Sequence, residues 1–162
     1  MLKSVFIIPF ILQAVLIFFD EVVFHLKRGL PRFERIGHPL DTLTVIACLT
    51  SARCFSYSLP HLVILIGMAL FSCLFVTKDE WVHFKVCPPM EMWLHALLFL
   101  NHPFLLGSLI ALWLQAHEVL SCHHDRAQIQ HFFDFQIAAV TLFFFYQVIY
   151  WNFIRKPDAE CQ

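Results

Sequence analysis

Charged residues are scarce in this chain. Asp, Glu, Lys and Arg together make up 14% of the 162 residues, whereas they account for about a quarter of a typical soluble domain. Glycine is also rare, with four residues, and none of them forms a glycine-rich phosphate loop or a dinucleotide-binding fingerprint. HExxH and GxSxG motifs are absent as well. The sequence therefore gives no support to these nucleotide-binding, zinc-protease and serine-hydrolase classes.

Disulfides, nucleic acid and internal repeats are equally unsupported. None of the six cysteines forms a CxxC pair, so we interpret them as free thiols that pack as small hydrophobic groups. The formal net charge is −1, and no basic stripe alternates with aromatic residues, so we expect no nucleic-acid partner. The chain also lacks the internal repeats of many secondary transporters.

Apolar residues are abundant instead. They make up 59% of the chain, and Phe alone supplies 19 residues. A soluble domain of this size buries only roughly 70% of the surface that its unfolded chain exposes, so water would meet too many apolar side chains. The composition therefore predicts an integral, multi-pass membrane protein in which lipid surrounds the outer faces of the helices.

Five segments are long and apolar enough to predict spanning helices. They form one all-α transmembrane bundle, a single domain over residues 1–162. Gly29, Pro31 and Pro60 are predicted to break the chain between helices, and Pro39 is predicted to begin the second helix. The predicted spans are Ser4 to Lys27, Pro39 to Tyr57, His61 to His83, Met90 to Val119 and Phe132 to Ile154.

The distribution of basic residues predicts the orientation. If all five helices cross, one face carries eight of the eleven Lys and Arg residues, together with the C-terminus. Cytoplasmic loops are the ones enriched in these residues, so we expect a cytoplasmic C-terminus and an N-terminus outside. This orientation depends on the segment Pro39 to Tyr57, whose Arg53 and hydroxyl groups make it the weakest span.

Acidic and histidine side chains recur at the predicted cytoplasmic end. Most of them are three or four residues apart and therefore share a helix face. Helical bundles build di-iron and di-manganese sites from such Glu and His pairs on neighbouring helices. The pattern predicts a metal site at this end. Its groups are Asp20-Glu21-x-x-x-His25, His38-x-x-Asp41, Asp79-Glu80-x-x-His83 and Glu91-x-x-x-His95.

We expect two divalent ions, with iron as the leading metal and zinc or manganese as alternatives. The alternative to a metal site is a polar network in which Lys27, Arg28, Lys78 and Lys85 neutralise the acids. Asp20 ranks last among the candidates. The predicted core ligands are Glu21, His25, His38, Glu80, His83, Glu91 and His95, and Asp41 and Asp79 follow as ligands or as hydrogen-bond partners of ligands.

Three further residues are candidates for a substrate pocket. His102 lies seven residues beyond His95, which places it on the same face and roughly 10 Å deeper. The favoured role of His102 is structural, as a partner of a backbone carbonyl that Pro103 leaves free, and a pocket or ligand role is the alternative. Tyr146 and Tyr150 lie at the same end of the last helix and are either pocket residues or anchors at the membrane interface.

The arrangement resembles membrane di-iron hydroxylases and desaturases over roughly residues 20–95. The resemblance is carried by the type and position of the ligands rather than by a shared motif. It implies an iron-dependent oxidoreductase that acts on a lipid or another hydrophobic substrate, with an electron donor as partner. The same arrangement resembles a zinc-dependent membrane lipid hydrolase about as closely. The non-enzymatic alternative is a small membrane scaffold or ion-handling protein.

Overall fold

The fold is a bundle of five long helices. The computed structural model describes residues 4–79, 87–120 and 126–155, and within these ranges the chain forms helices and no strand. The all-α prediction is therefore confirmed. The helices are α1 (Ser4–Phe19), α2 (Arg32–Cys54), α3 (Leu59–Phe75), α4 (Pro89–Ala116) and α5 (Arg126–Ile149).

Three of these helices continue into segments with other helical geometry. After α1 comes a first π segment (Asp20–His25) and one α-helical turn (Leu26–Arg28). After α3 comes a 3₁₀ turn (Val76–Asp79), and after α5 comes a second π segment (Tyr150–Ile154). Residues with π geometry are rare and frequently lie at functional sites. The two π segments lie at the same end of the bundle, since Trp151 in the second donates to Glu21 in the first. This end is therefore the place to look for a functional site.

Four of the five helices are long and apolar enough to cross a membrane, as expected of an integral membrane protein. The helix that is not among them is α2, which carries several charged residues along its length. The predicted orientation across the membrane depended on this helix and stays a prediction. The four candidate spans are Val5–Arg28, Leu59–Lys78, Pro89–Ala116 and Arg126–Ile154.

The second helix begins earlier than the sequence suggested. Pro39 was predicted to start it, but α2 begins at Arg32, directly after the extended residue Pro31. Gly29 has φ 80°, which a residue with a side chain rarely adopts, and it makes the turn between the first helix and α2. Pro39 lies inside α2 and is tolerated there. The earlier start places Glu34 on a helix, where it is fully buried.

Helix α4 lies at the centre of the bundle and packs against the other four. The apolar core surrounds its C-terminal half, where Leu109, Leu112 and Trp113 are almost completely buried. Helix α1 packs mainly on α4, whereas α5 packs mainly on α2. The end of the bundle that carries the two π segments has a polar interior instead.

Candidate metal centre

Four ionisable side chains meet at the polar end of the bundle. Asp20 and His25 come from the first π segment, and Glu91 and His95 come from the first turns of α4. One potential ligand atom from each lies within 4.8 Å of those of the other three. All four residues are buried, with exposed fractions between 0% and 6%. Acids and histidines from the first π segment and from α4 therefore converge, and these four residues could hold a metal ion.

The π geometry explains why Asp20 joins this group. Asp20 and His25 are five residues apart, which would separate them by roughly 140° around an α-helix. In the π segment the Leu26 N–H donates to the Glu21 carbonyl, five residues back. This wider turn brings residues five apart to one side, so the Asp20 carboxylate lies 3.2 Å from His25 Nε2. Asp20 also accepts a hydrogen bond from His95 Nε2 at 3.1 Å.

The hydrogen bonds of His25 orient its ring towards the acids. Its Nδ1 lies 3.2 Å from Glu21 Oε2 and donates to that carboxylate. Its Nε2 lies 3.2 Å from Asp20 and 3.7 Å from Glu91, yet forms no hydrogen bond with any described residue. A buried imidazole lone pair between two carboxylates is unfavourable, and either a proton or a metal cation removes the repulsion.

Glu21 supports this centre from outside the group of four. Its Oε1 accepts hydrogen bonds from Tyr146 Oη at 2.5 Å and from Trp151 Nε1 at 2.9 Å. With His25 Nδ1 on Oε2, three donors hold the carboxylate. A carboxylate on the second nitrogen of a ligating histidine fixes the ring and raises its basicity. The structure thus places Glu21, a predicted ligand, in this orienting position.

A second group of possible ligands adjoins the first. His25, Glu34 and His38 also have ligand atoms within 4.8 Å of one another, and the rings of His25 and His38 are 5.2 Å apart. Because both groups use His25, they are neighbouring positions in one centre rather than independent sites.

Arg28 connects the two groups. Its Nη2 donates to Glu34 Oε2 at 3.0 Å and to Glu91 Oε1 at 2.7 Å. Burial raises the pKa of Glu34, although the nearby guanidinium opposes this shift. Arg28 thus pairs with two fully buried carboxylates, while Asp20 and Glu21 are further buried carboxylates beside His25. Carboxylates gathered in this way would stabilise a bound metal cation.

Glu34 and Trp151, which both contact residues of this centre, were not among the predicted ligands or pocket residues. Glu34 lay outside the predicted spans, because the second helix was expected to begin only at Pro39. Trp151 lay in the last predicted span without an assigned role at the site. The pairing of Arg28 with acids agrees with the ionic network that was the alternative to a metal site.

The remaining predicted ligands are placed differently. Asp41 forms an ion pair with Lys78, whose Nζ lies 2.7 Å from both carboxylate oxygens. Neither group of possible ligands includes Asp41. The side chain of Asp79 and the residues Glu80 and His83 lie outside the described residues.

A cavity of about 600 Å³ opens beside the centre and extends into the bundle. Asp20, His25 and His95 line its polar end. Two predicted pocket residues, His102 and Tyr146, also line it, and His102 Nε2 lies 2.9 Å from Ser72 Oγ. Tyr150 stacks on Tyr146 and is not among the described residues that line the cavity. The apolar wall includes Phe10, Ile17, Val45, Leu98, Leu105 and Val140.

The geometry thus joins a buried set of possible metal ligands to a largely apolar cavity. Comparison with known proteins adds no assignment, since no protein family, no curated protein and no solved structure matches this chain.

Proposed function

We propose that this protein is a metal-dependent membrane enzyme that acts on a lipid or another hydrophobic substrate held in the cavity. The observation that carries the proposal is the position of Asp20, His25 and His95, which cluster with Glu91, at the polar end of an apolar cavity. Binding sites for small molecules typically combine such apolar walls with a few convergent polar groups.

We propose iron as the metal, with manganese and zinc as alternatives. Two imidazoles and two carboxylates form the group of four, and none of them is a thiolate, which would favour softer metals. We propose two iron ions, the second near Glu34 and His38, and a redox reaction. Iron bound there would supply the electron-transfer and oxygen chemistry, with electrons from a separate donor.

The residues around the ligands have defined tasks in this proposal. Glu21 keeps the Nδ1 proton on His25, so that Nε2 presents its lone pair to the ion. Tyr146 and Trp151 hold Glu21 in place from α5 and the second π segment. The apolar side chains of the cavity exclude water and keep the hydrocarbon part of the substrate beside the ligands.

A zinc-dependent hydrolase is the second candidate, and one observation favours it. Glu91 Oε2 is buried and has no hydrogen-bond partner among the described residues. A spare carboxylate oxygen beside a zinc ion is suited to accept a proton from the water molecule that attacks an ester. The identity of the bound metal separates the two candidates.

The test is elemental analysis of the full chain, purified in lipid nanodiscs and reconstituted anaerobically with iron(II) or aerobically with zinc(II). The wild type is compared with His95→Ala and Glu91→Gln. The matched control is His117→Ala, because His117 bonds only to the Trp113 carbonyl of its own helix at 2.9 Å in the described chain. We expect stoichiometric metal in the wild type and the control and its loss in both site variants.

The other outcomes each lead to a definite conclusion. If the wild type binds stoichiometric zinc and no iron, the oxidoreductase proposal is wrong and the hydrolase proposal is supported. A folded wild type that binds neither metal would overturn both and leave an ionic network that connects the helix ends. Circular dichroism of every variant verifies that the bundle has folded.

A further inference from the structure

In the described chain, the first and last helices contact each other at two separate places, once through the segments that continue α1 and α5 and once between the helices themselves. The end of the bundle that carries the candidate metal centre is called the metal end. There, Tyr146 and Trp151 donate to Glu21, and Arg155 Nη1 donates to the Leu26 carbonyl at 2.6 Å. Toward the other end, the rings of Phe10 and Phe132 meet edge to face with centroids 5.1 Å apart.

Between these two contacts the helices are separated by the cavity. They do not pack side by side, since α1 lies mainly on α4 and α5 mainly on α2. Both helices nevertheless line the cavity, with Gln13, Ala14, Ile17 and Phe18 on α1 and Gln136, Ala139, Val140 and Phe143 on α5. We call this stretch the α1–α5 seam.

The seam leads to the lipid-facing surface. Ala14 and Ala139 line the cavity and are nevertheless exposed, so the cavity reaches the outside of the bundle between them. Phe18, also a lining residue, is 62% exposed. Because α1 and α5 belong to membrane-spanning candidates, the outside at this height is the hydrocarbon region of the bilayer rather than water.

We propose that the α1–α5 seam is a lateral portal through which a lipid with a single hydrocarbon chain enters from the bilayer. This inference rests on the proposed function, because it names the class of substrate for the same centre. The polar end of the lipid lies beside Asp20 and His95, and its chain extends along the cavity toward Phe10.

The size of the cavity supports one chain rather than two. Its volume of about 600 Å³ lies within the range of roughly 300–1,000 Å³ that small-molecule sites occupy. From Phe10 to Glu21 the lining of α1 extends over roughly 16 Å, so the cavity is elongated along the helix axes. A fatty alcohol, a fatty acid or an isoprenoid fits this shape, whereas a phospholipid brings a second chain and a large head group.

The test uses a long-chain fatty alcohol that carries a photoreactive diazirine and an alkyne tag, incorporated into nanodiscs with the full chain. Irradiation followed by peptide mass spectrometry locates the labelled residues. The variants are Ala139→Trp and Ala14→Trp, which narrow the seam from opposite sides. The matched control is Ala138→Trp, because Ala138 is an exposed neighbour that does not line the cavity.

We expect the wild type and Ala138→Trp to be labelled on the cavity-facing residues of α1 and α5, and both seam variants to lose this labelling. Equal labelling of the seam variants and the wild type would overturn the portal. Labelling of the same residues by a diazirine phosphatidylcholine would overturn the single-chain class.

The portal and the metal function can fail separately. Ala139 lies about two helical turns from Tyr146, so Ala139→Trp is expected to keep the metal content of the wild type. Loss of labelling with retained metal therefore supports the portal, whereas a metal-free wild type that is still labelled would reject the enzyme proposal and leave a lipid-binding cavity.

Discussion

The two ends of the bundle both contain buried or half-buried histidines, but they surround them differently. At the metal end, His25 and His95 face carboxylates at 3.1–3.7 Å. At the opposite end, His61 Nε2 lies 3.3 Å from Ser51 Oγ, and the His61 ring lies 5.4 Å from that of Trp113. His117 donates to a backbone carbonyl of its own helix.

The acids differ in the same way. The opposite end has an ion pair between Arg53 and Asp134, whose side chains are 34% and 50% exposed. Among the described residues, the metal end buries the carboxylates of Asp20, Glu21, Glu34 and Glu91, and Arg28 pairs with the last two. Buried charges persist when they are paired or bind a metal, so the comparison shows that the convergence of acids, rather than the presence of histidine, distinguishes the candidate centre.

The largest change in stability is expected for Arg28→Gln, which removes the one guanidinium between Glu34 and Glu91. Breaking a buried ion pair costs about 3–5 kcal/mol, because both carboxylates are fully buried. We expect the melting temperature measured with chelator to fall strongly and to recover in part when metal is added. Arg28→Lys keeps the positive charge, so its melting temperature should fall much less. Equal melting of Arg28→Gln and the wild type would remove the contrast between the two ends.

Leu109→Ala tests whether the opposite end is structural. Leu109 is 1% exposed in the apolar core, so its truncation should lower the free energy of unfolding by about 3 kcal/mol. The metal content should not change. Leu142→Ala is the control, since Leu142 is 71% exposed. Loss of metal in a folded Leu109→Ala protein would contradict the separation of the two ends.

Glu21→Gln sharpens the comparison within the metal end. Substituting a residue that orients a metal ligand typically lowers the metal affinity by roughly ten- to a hundredfold. We expect Glu21→Gln to lose metal affinity in this range, measured by competition with a chelator. Tyr146→Phe, which removes one of the three donors to Glu21, should weaken binding less. An unchanged affinity in Glu21→Gln would mean that this carboxylate does not orient His25.

The smallest effect is expected for Arg53→Gln. Exposed ion pairs contribute at most about 1 kcal/mol, so both the melting temperature and the metal content should stay close to those of the wild type. A destabilisation as large as that of Arg28→Gln would show that the two ends do not differ in the way proposed.

Much of the fold follows from apolar runs and helix-breaking residues. The break at Gly29 is where the structure has it, and Pro60 lies in the first turn of α3, two residues after the non-helical stretch 55–58, because glycine and proline act locally on the backbone. The start of α2 was missed, since two prolines, Pro31 and Pro39, both suit a first helical turn. The helix begins directly after Pro31, and its first turn carries Glu34 to Arg28, a tertiary contact that residue spacing does not reveal.

The candidate centre was predictable in its residue types but not in its membership. Spacing rules for α-helices pair Glu21 with His25, and the structure contains that pair. The same rules place Asp20 on another side, and only the π segment brings it to His25. The widened turn has no motif of its own in the sequence, so Asp20 ranked last although it belongs to the group of four.

X-ray absorption at the edge of the bound metal tests the central claim most directly. The wild type should show nitrogen and oxygen donors at roughly 2.0–2.2 Å, as histidine and carboxylate ligands give, with the outer-shell scattering of imidazole rings. The absorption edge of the metal, and the imidazole signal with it, should be lost in His95→Ala and persist in His117→Ala. A spectrum dominated by sulfur donors, or an imidazole signal unchanged in His95→Ala, would contradict a centre built from Asp20, His25, Glu91 and His95.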